Sequence, residues 1–457
     1  MNSAPGSPLL SAPARRKTWT AGTLTYSLAG LVLLFIWLLL GDFAWALKER
    51  SIPPVAQLLI KKFAPSDALS ALLVATLPAA ILLFMGPVVS YKSDRHRGRW
   101  GRRIPFLFVP TPFVVLGLVG VAFSPALGAR LHETLGASSP GLNVVTLAVF
   151  GFCWLVFETA AVTANTMFNA LINDVVPREL LGRFFAMFRT VGMATGLIFN
   201  YWLVGKAETH YTEIFLGMAL LYGGGLTVMC LNVREGDYPP VTLDGVTENR
   251  SPTLAYLKEC FGKSYYRWFF ISAVFGNSAF IPVGLFAIFY AKSLDMSLDA
   301  YGHCMVATYV VAFIITYPLG SLADRFHPLT VGLLGMALYS AIALAGFLFI
   351  TNSRTFSIAF VAHGIVSSGW LAATASMKQR LLPKAKFAQF ASGLDILQSL
   401  VVMSMGPLVG ALLDWTGHSY RYIFLVSFGV AIIALVSGIV VYRKFVALGG
   451  PERYVAP

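Results

Sequence analysis

Residues 91–106 of the chain read YKSDRHRGRWGRRIPF, and they lie between two long apolar segments. Six of them are Lys or Arg, although the whole chain is 57% hydrophobic and only 12% charged. A soluble domain has no need to place such a basic loop between apolar runs. In a protein with several membrane spans, short cytoplasmic loops collect Lys and Arg and thereby fix the topology. The stretch therefore predicts a polytopic membrane protein.

The composition excludes an ordinary soluble protein. Mean hydropathy is +0.71 over 457 residues, and the apolar blocks have the length that a bilayer core requires. A net charge of +13 would suggest nucleic acid in a soluble chain, but here we attribute it to loop residues that face anionic lipid headgroups. The expected partners are thus the lipid bilayer and a small-molecule substrate, with no nucleic acid, and we expect a monomer. The four cysteines are too far apart to predict a disulfide framework or a metal site: Cys153, Cys230, Cys260 and Cys304.

Apolar stretches of spanning length occur six times on each side of a polar segment. They are residues 26–60, 68–91, 105–124, 144–168, 184–204 and 213–232, then 269–291, 300–320, 329–350, 355–377, 388–413 and 420–442. The pattern predicts an all-α membrane protein with twelve transmembrane helices in two six-helix bundles. The expected domains are a flexible cytoplasmic tail (1–25), the first bundle (26–233), a cytoplasmic linker (234–267), the second bundle (268–443) and a cytoplasmic tail (444–457).

The first apolar run has two interpretations. It could stop near Trp45, or continue through Lys48-Glu49-Arg50 and a kink at Pro53-Pro54. We favour the longer, kinked helix, because internal charges are tolerated where a helix lines a wet cavity.

The distribution of Lys and Arg predicts the orientation. With both termini in the cytoplasm, most basic residues lie on the inner side, including those of the tail at 15–17, the loop at 91–106 and the linker. The absence of long outer loops favours a cell membrane of the bacterial inner-membrane kind. No small-residue cleavage site follows the first apolar run, so we expect no removable signal peptide.

An internal repeat relates the two halves. Asp94-Arg95 after the second span is echoed by Asp324-Arg325 after the eighth, and Pro177-Arg178 between spans four and five is echoed by Pro383-Lys384 between spans ten and eleven. Both echoes are offset by close to half the chain length. Parallel halves of this kind are typical of the major facilitator architecture.

The chain resembles the glycoside-pentoside-hexuronide cation symporters, and among them the sucrose-transporter-like branch. Three segments carry the resemblance: residues 42–59, with the core DFAWAL at 42–47; residues 86–106, with GPVVSYKSDR and GRRIPF; and Glu158, sixteen positions before Asp174. It implies a sugar transporter in which Glu158 is the coupling carboxylate, Asp42 a sugar-binding acid and Arg183 a sugar-contacting base. Where the sucrose carriers have an Arg, this chain has Asn169.

The resemblance also bears on the coupling ion. Sodium-using members carry two acids on the second helix, at positions that here are Leu82 and Gly86. A hard cation needs several oxygen ligands, and this helix supplies no carboxylate. The Lys that melibiose-type members carry on helix eleven has no counterpart, since Asp395 and Gln398 are the polar residues there. We therefore expect a co-transported proton, no other cofactor and no metal.

Glu158 lies midway through an apolar run that holds no other charge. An ionised carboxylate in hydrocarbon costs several kcal/mol, so we expect Glu158 to take up and release a proton. Asn165 and Asn169 follow on the same helical face and either extend a polar stripe toward substrate or serve as helix-packing amides.

The first helix offers Asp42, Trp45 and Glu49 on one face. Carboxylates accept hydrogen bonds from sugar hydroxyls, and an aromatic ring packs on the C–H face of a sugar. If the first span is short, Glu49 would instead pair with a neighbouring base outside the membrane. Arg183, at the start of helix five, is either a substrate contact or a partner of lipid phosphates.

The second half offers fewer polar candidates within its spans: Asn277, His363, Trp370 and Asp395. His363 could titrate near pH 6.5 or be a hydrogen-bonded packing residue. Trp370, seven positions on, is a candidate platform for a sugar.

The repeated loop motif has a mechanical interpretation. We expect Asp94, Arg95, Arg102 and Arg103, with Asp324 and Arg325, to latch helix ends on the cytoplasmic side in one state and to release them in the other. The alternative is that these residues are only a topology signal.

The leading hypothesis is proton-coupled symport of a sugar or glycoside by alternating access. The alternatives are export or facilitated diffusion of a non-sugar solute, and a non-transporting membrane protein of the same fold. The sequence contains no nucleotide loop, metal-ligand cluster or nucleophile constellation, so we do not expect an enzyme.

Overall fold

The computed structural model describes residues 18–64, 66–237, 261–383 and 387–457. Most of the predicted tail and linker, including Cys260, therefore lies outside the described residues. Within them, Trp19–Ala21 (β1) and Leu24–Tyr26 (β2) form an antiparallel hairpin. The tail predicted to be flexible over residues 1–25 is thus ordered in its last part, because a turn at Gly22 and Thr23, with Gly22 at a positive φ of 58°, lets the two short strands pair.

The first bundle consists of six long helices. They are α1 (Leu28–Phe63), α2 (Asp67–Arg95), α3 (Ile104–Ala122), α4 (Leu142–Val175), α5 (Leu181–Ile198) and α6 (Tyr211–Asn232). A π-helical turn, Leu72–Thr76, interrupts α2, and a second one, Phe199–Leu203, with the 3₁₀ turn Val204–Lys206, extends α5. A short helix, Ser124–Leu135, and the 3₁₀ turns Gly136–Ser138 and Arg178–Leu180 connect the long ones.

The second bundle repeats this arrangement. Its helices are α7 (Ser264–Ser293), α8 (Leu298–Phe326), α9 (Pro328–Phe349), α10 (Ser353–Leu381), α11 (Phe387–Trp415) and α12 (Tyr422–Ala447), followed by the short helix Gly450–Arg453. Breaks divide α7 near Ala279 and α10 near Ala375.

Eleven of these helices are long and apolar enough to cross a membrane. The predicted fifth span, residues 184–204, is also helical, but Arg183, Arg189 and Asn200 make it more polar than the others. This more polar helix faces a cavity between the two bundles.

The longer interpretation of the first apolar run is confirmed. Helix α1 continues from Leu28 to Phe63 and contains Pro53 and Pro54. A proline cannot donate to the carbonyl four residues earlier, so the carbonyls of Glu49 and Arg50 lose their usual helical donors. This local irregularity lies in the middle of the helix, beside its charged residues.

The two bundles meet through two helix pairs, α2 with α11 and α5 with α8. We call the end that carries the loop at residues 96–103 the basic end, and the opposite end, where α1 leads into α2, the far end. Within the described residues, the contacts between the bundles run from the far end to mid-depth. Thr76 of α2, for example, donates to the carbonyl of Met403 at 2.6 Å.

Glycines allow the closest approaches at the far end. A Cβ on Gly410 of α11 would lie 2.5 Å from the backbone of Ala68 in α2, and one on Gly302 of α8 would lie 2.1 Å from the carbonyl oxygen of Asn200. Backbone atoms cannot move aside as a flexible side chain does. Contact between the bundles at this end therefore requires glycine at both positions.

We expect Gly410→Ala to separate α2 from α11 at the far end. Overpacking of a tight contact costs about 1–3 kcal/mol, so the closed arrangement should lose roughly fivefold or more in population. The distance between spin labels at Thr134 and Thr351, exposed at the far end of the two bundles, would report the change. Gly284→Ala, where the added Cβ meets no atom within 4 Å, is the control, and unchanged label distances in Gly410→Ala would contradict the prediction.

Candidate substrate cavity and its charged groups

A cavity of about 560 Å³ lies between the bundles at mid-depth. Helices α1 and α5 supply one wall, and α8 and α10 supply the other. Helices α5 and α8 contact each other toward the far end. Both also line the cavity, with residues that lie nearer the basic end. The polar and aromatic lining residues are Asp42, Trp45, Glu49, Arg50, Phe188, Arg189, Tyr309, Thr316 and Ser368.

Asp42 and Trp45 present polar atoms that lack protein partners. Asp42 is fully buried, and neither of its carboxyl oxygens has a hydrogen-bond partner among the described residues. The Nε1 of Trp45, one turn on, is in the same situation. Its ring packs against Phe188 of α5, with ring centroids 6.1 Å apart. Buried polar groups are normally paired, so these atoms have hydrogen-bonding capacity left for water or a ligand.

Next to the cavity, Lys48 interacts with one acidic residue of α1 and one of α4. Its ammonium is buried, forms an ion pair with Glu49, and lies over the rings of Phe157 and Tyr222, 5.4 and 6.0 Å from their centroids. Glu158 is 9% exposed and interacts electrostatically with both Lys48 and Glu49. One base therefore faces two carboxyl groups.

Arg50 links the two walls of the cavity. Its guanidinium donates to the hydroxyl of Tyr309 at 3.3 Å and lies 5.6 Å from the centre of that ring. Tyr309, on α8, also packs close to Gly196 of α5. Arg189 lines the same space and is exposed.

At the far end a polar network closes the interface between the bundles. Asp414 of α11 accepts from the hydroxyl of Ser66 at 2.6 Å and from the backbone N–H groups of Asp67 and Ala68 at 2.6 and 3.2 Å. A carboxylate that receives the free N–H groups of a helix start also opposes the positive end of the helix dipole. Asp414 thus caps α2 from the other bundle.

Asp67 is the buried centre of this network. It forms an ion pair with Lys61 at 2.6 Å, accepts from Tyr420 at 3.3 Å and lies 2.7 Å from Nδ1 of His418. Burial, followed by the charge of Asp67, raises the pKa of Tyr420 above its ordinary range, so its hydroxyl stays a donor. Asp67, Asp414 and His418 hold ligand atoms within 4.8 Å of one another, and here those atoms are engaged by the network itself.

At the basic end the predicted latch residues form ion pairs within each bundle. Arg103 contacts Asp94 at 2.5 Å and Asp174 at 3.0 Å, and Arg102 contacts Asp174 at 2.7 Å. Glu235 accepts from the backbone N–H groups at 102–104.

The remaining latch residues also stay within their own bundle. Asp324 pairs with Arg380 at 2.5 Å. Arg95 lies over Tyr91, and Arg325 lies over Phe326. Each of these ion pairs joins residues of one bundle, so the latch stays a prediction for another state.

Three other predicted site residues, on α4 and α5, lie outside the cavity wall. Asn169 donates to the backbone and side-chain oxygens of Asn165 at 3.0 and 3.1 Å, on the basic-end side of Glu158. Arg183 is exposed near the start of α5, and Arg189, less than two turns later, lines the cavity.

The candidates from the second half do not reach the cavity, which corrects that part of the prediction. His363 is buried and lies 3.0 Å from the hydroxyl of Tyr339 among aromatic rings. Trp370 donates to the carbonyl of Gly332 at 3.0 Å and fills space left by Gly276. Both pack inside the second bundle because neighbouring glycines and rings surround them there.

Asn277 and Asp395 are likewise engaged elsewhere. The amide of Asn277 donates to the carbonyl of Ala273 in its own helix at 2.9 Å. Asp395 is 65% exposed and pairs with Lys378 at 2.6 Å near the basic end.

The sequence did not predict the positions of Arg189, Tyr309 and Lys48 at the cavity, nor the far-end network. Lys48 carried a signal, since a base within a long apolar helix requires a buried partner. Tyr309 and Arg189 lay among ordinary aromatic and polar positions, and only the packing of α5 against α8 distinguishes them.

The helix order, the two bundles and their paired interface helices define the major facilitator fold. Residues 268–451 match the family described as Major Facilitator Superfamily. Among solved structures, the chain is similar to a bacterial homolog of the human lysosomal transporter Spinster in an inward-facing, unoccupied conformation (TM-score 0.64, 15% identity, 93% of this chain and 98% of that one). It is also similar to the nucleoside transporter NupG (0.62, 11%, 90% and 98%) and to a D-xylose-proton symporter (0.61, 13%, 90% and 97%). These likenesses establish the fold.

One curated relative supports the resemblance in sequence. The sucrose transport protein SUC4 of Arabidopsis thaliana is 21% identical over 225 residues. That alignment covers 46% of this chain and 42% of the plant protein, so the match spans less than half the length of either.

Proposed function

We propose that the chain is a secondary active transporter that couples proton movement to symport of a sugar or glycoside by alternating access. The observation that carries the proposal is the mid-depth cavity, with unpartnered Asp42 and Trp45 in its wall and the Lys48, Glu49 and Glu158 cluster beside it. The partial sequence match to a sucrose transport protein supports the substrate class.

The arrangement of the bundles fits one state of an alternating-access cycle. The far end is closed by the network around Asp67 and Asp414, whereas the ion pairs of Arg103 and Asp324 at the basic end each stay within one bundle. With the basic end in the cytoplasm, as Lys and Arg predict, the cavity belongs to an inward-facing state. Closing the basic end and opening the far end would expose the same cavity to the other side.

Charge balance links the proton to the cavity. Lys48 offers one positive charge to Glu49 and Glu158, so a single proton on this cluster makes it neutral, and an interior charge without a partner is costly. Glu49 is 43% exposed and lines the cavity, whereas Glu158 is buried behind it. Substrate binding to Glu49 and proton binding to Glu158 therefore both change the interactions of the Lys48 ammonium group.

The substrate hydroxyls have identifiable partners in this geometry. Asp42 supplies two acceptor oxygens and Trp45 supplies one donor and an apolar ring face. A sugar presents both hydroxyls and C–H faces, which suits this pair.

We expect Asp42→Asn to weaken substrate binding without loss of folding. The native carboxyl has no protein partner to lose, while hydrogen bonds to a charged group contribute about 1.5–3 kcal/mol. Binding of the transported sugar should fall about 10- to 100-fold, measured by titration of the purified chain, with an unchanged melting temperature. Asp395→Asn, at an exposed ion pair, is the control, and equal affinities in both variants would refute the assignment.

Uptake into proteoliposomes decides among the functional alternatives. Accumulation of a sugar above its outside concentration, only with an inwardly directed proton gradient, is the expected result across a panel of sugars and glycosides. Uptake to equilibrium that ignores the gradient would indicate facilitated diffusion. No uptake or binding of any panel member would contradict the sugar proposal.

A further inference from the structure

His418 lies in the loop between α11 and α12 and reaches the first bundle at the far end. Its Nδ1 is 2.7 Å from Oδ2 of Asp67 on α2 and 3.8 Å from Oδ1 of Asp414 on α11. The side chain of His418 is 42% exposed, whereas that of Asp67 is fully buried. A titratable ring that solvent can reach is therefore part of the contact between the bundles.

The hydrogen bond identifies the atom of the ring that can gain a proton. An ionised carboxylate only accepts hydrogen bonds, so Nδ1 of His418 carries the hydrogen that it donates to Asp67. Nε2 is then the atom that takes up a further proton. Histidine is the side chain whose charge ordinarily changes between pH 5 and 8. Proton uptake at Nε2 leaves the hydrogen bond in place and adds a positive charge to the ring.

The charges around the ring leave room for one more positive charge. His418 faces the acids Asp67 and Asp414, and the nearby base is Lys61 of α1, which pairs with Asp67 at 2.6 Å. Two acids and one base give one net negative charge when the ring is neutral and none when it is protonated. Asp67 lies between the two bases, with Oδ1 toward Lys61 and Oδ2 toward His418. The ring is thus nearer to the acid than to the base, and the nearer charge has the larger effect.

Two further polar residues of the same loop do not change this balance. Tyr420 stacks on the ring of His418, with centroids 6.2 Å apart, and donates to Asp67 as a neutral hydroxyl. Arg421 donates to the carbonyl of Phe347 at 2.8 Å and lies over the ring of that residue. Its guanidinium is therefore engaged within the second bundle.

We propose that protonation of His418 strengthens the closure of the far end, so that acid on that side of the membrane favours the closed arrangement. Opening of the far end takes Asp67 away from His418, while Asp414 stays with the ring in the second bundle. The attraction between a protonated ring and Asp67 exists only in the closed arrangement, so the proton stabilises that arrangement by linkage. The closed population should rise as the pH falls and decrease as the pH rises and the ring loses its charge. This device is separate from substrate binding and from Glu158.

The test measures the distance between spin labels at Thr134 and Thr351 in the purified full-length chain, without substrate, from pH 8 to pH 5. We expect the ratio of closed to open molecules to rise about three- to tenfold over this range, more than an exposed ion pair gives, because one partner is buried. The absence of substrate keeps the result independent of the proposed transport function.

Matched variants assign the pH response to one ring. His418→Asn should remove most of it, because an amide can replace the Nδ1–H donor, has no titratable proton and tolerates the left-handed backbone at this position, where φ is 61°. His210→Asn makes the same change at an exposed histidine of the far end, which contacts Thr209 in its own bundle, and should keep the full response. His418→Lys, charged throughout the range, should be as closed at pH 8 as at pH 5.

Each outcome has a definite meaning, and melting temperatures report the folding of each variant. Loss of the response in His418→Asn, with His210→Asn unchanged, supports the proposal. A native chain whose label distances ignore pH, or a response that His418→Asn retains in full, overturns it, and sugar transport through the cavity would still stand. If His418→Asn does not fold, His418→Lys decides: a far end that opens at pH 8 as in the native chain overturns the proposal.

Discussion

Replacement of Glu158 by Gln should abolish proton-driven accumulation while leaving exchange of substrate across the membrane. Gln has nearly the shape of a protonated Glu but cannot release a proton. Lys48 and Glu49 still form a neutral pair in the variant, so the interior keeps no uncompensated charge and we expect normal folding. The accumulation ratio under an imposed pH gradient should fall to about one, because a transporter whose coupling site never changes its charge gains nothing from the gradient.

The measurement uses two assays on the same proteoliposomes. Uphill uptake driven by a pH gradient should be lost, whereas counterflow, in which labelled substrate exchanges with unlabelled substrate inside, should persist. Glu179→Gln, the same substitution at an exposed position just after the same helix, is the matched control. Accumulation by Glu158→Gln at the level of that control would show that Glu158 does not carry the proton.

Replacement of Asp67 by Asn should shift the protein toward a state that is open at the far end. Asp67 is fully buried, and its carboxylate binds the ammonium of Lys61 in its own bundle and contacts Tyr420 and His418 of the other bundle. Removing one partner of a buried, hydrogen-bonded charge pair costs about 2–5 kcal/mol. The closed arrangement should therefore lose roughly 30-fold or more in population relative to the open one.

A second ion pair at the same end provides the control. Lys292 and Glu208 also join the two bundles, but both side chains are partly exposed. An exposed pair contributes about 0–1 kcal/mol, so Glu208→Gln should change the population less than about fivefold. Spin labels at Thr134 and Thr351 would measure both variants. Equal label distances in Asp67→Asn and Glu208→Gln would show that the buried network does not hold the far end closed.

Much of the fold follows from the arrangement of apolar residues. Twelve apolar blocks separated by polar loops predict the twelve helices, and the echo of residues 94–95 at 324–325 predicts the two related bundles. The continuation of α1 through Pro53 was also predictable, because the charges at 48–50 need a polar cavity beside the helix. Orientation remains a prediction from the positions of Lys and Arg.

The candidate site was predictable only where a residue conflicts with its surroundings. Asp42, Trp45 and Glu49 are polar positions within an apolar helix, and the structure places all three at the cavity. Glu158 lies behind them, next to Lys48. His363 and Trp370 met the same criterion, yet both pack inside the second bundle. There a Tyr hydroxyl contacts His363, and glycines leave room for the ring of Trp370.

The sequence by itself determined the membrane class, the helices, the repeat and the acids of the first half, because hydrophobicity and charge act within a segment. Only the tertiary structure decided which polar residues share one space. Arg189 and Tyr309 line one cavity from opposite bundles, and Asp414 reaches the start of α2 from a helix more than 300 residues away. These contacts depend on the rotation and register of packed helices, to which distant side chains and close glycine contacts contribute together.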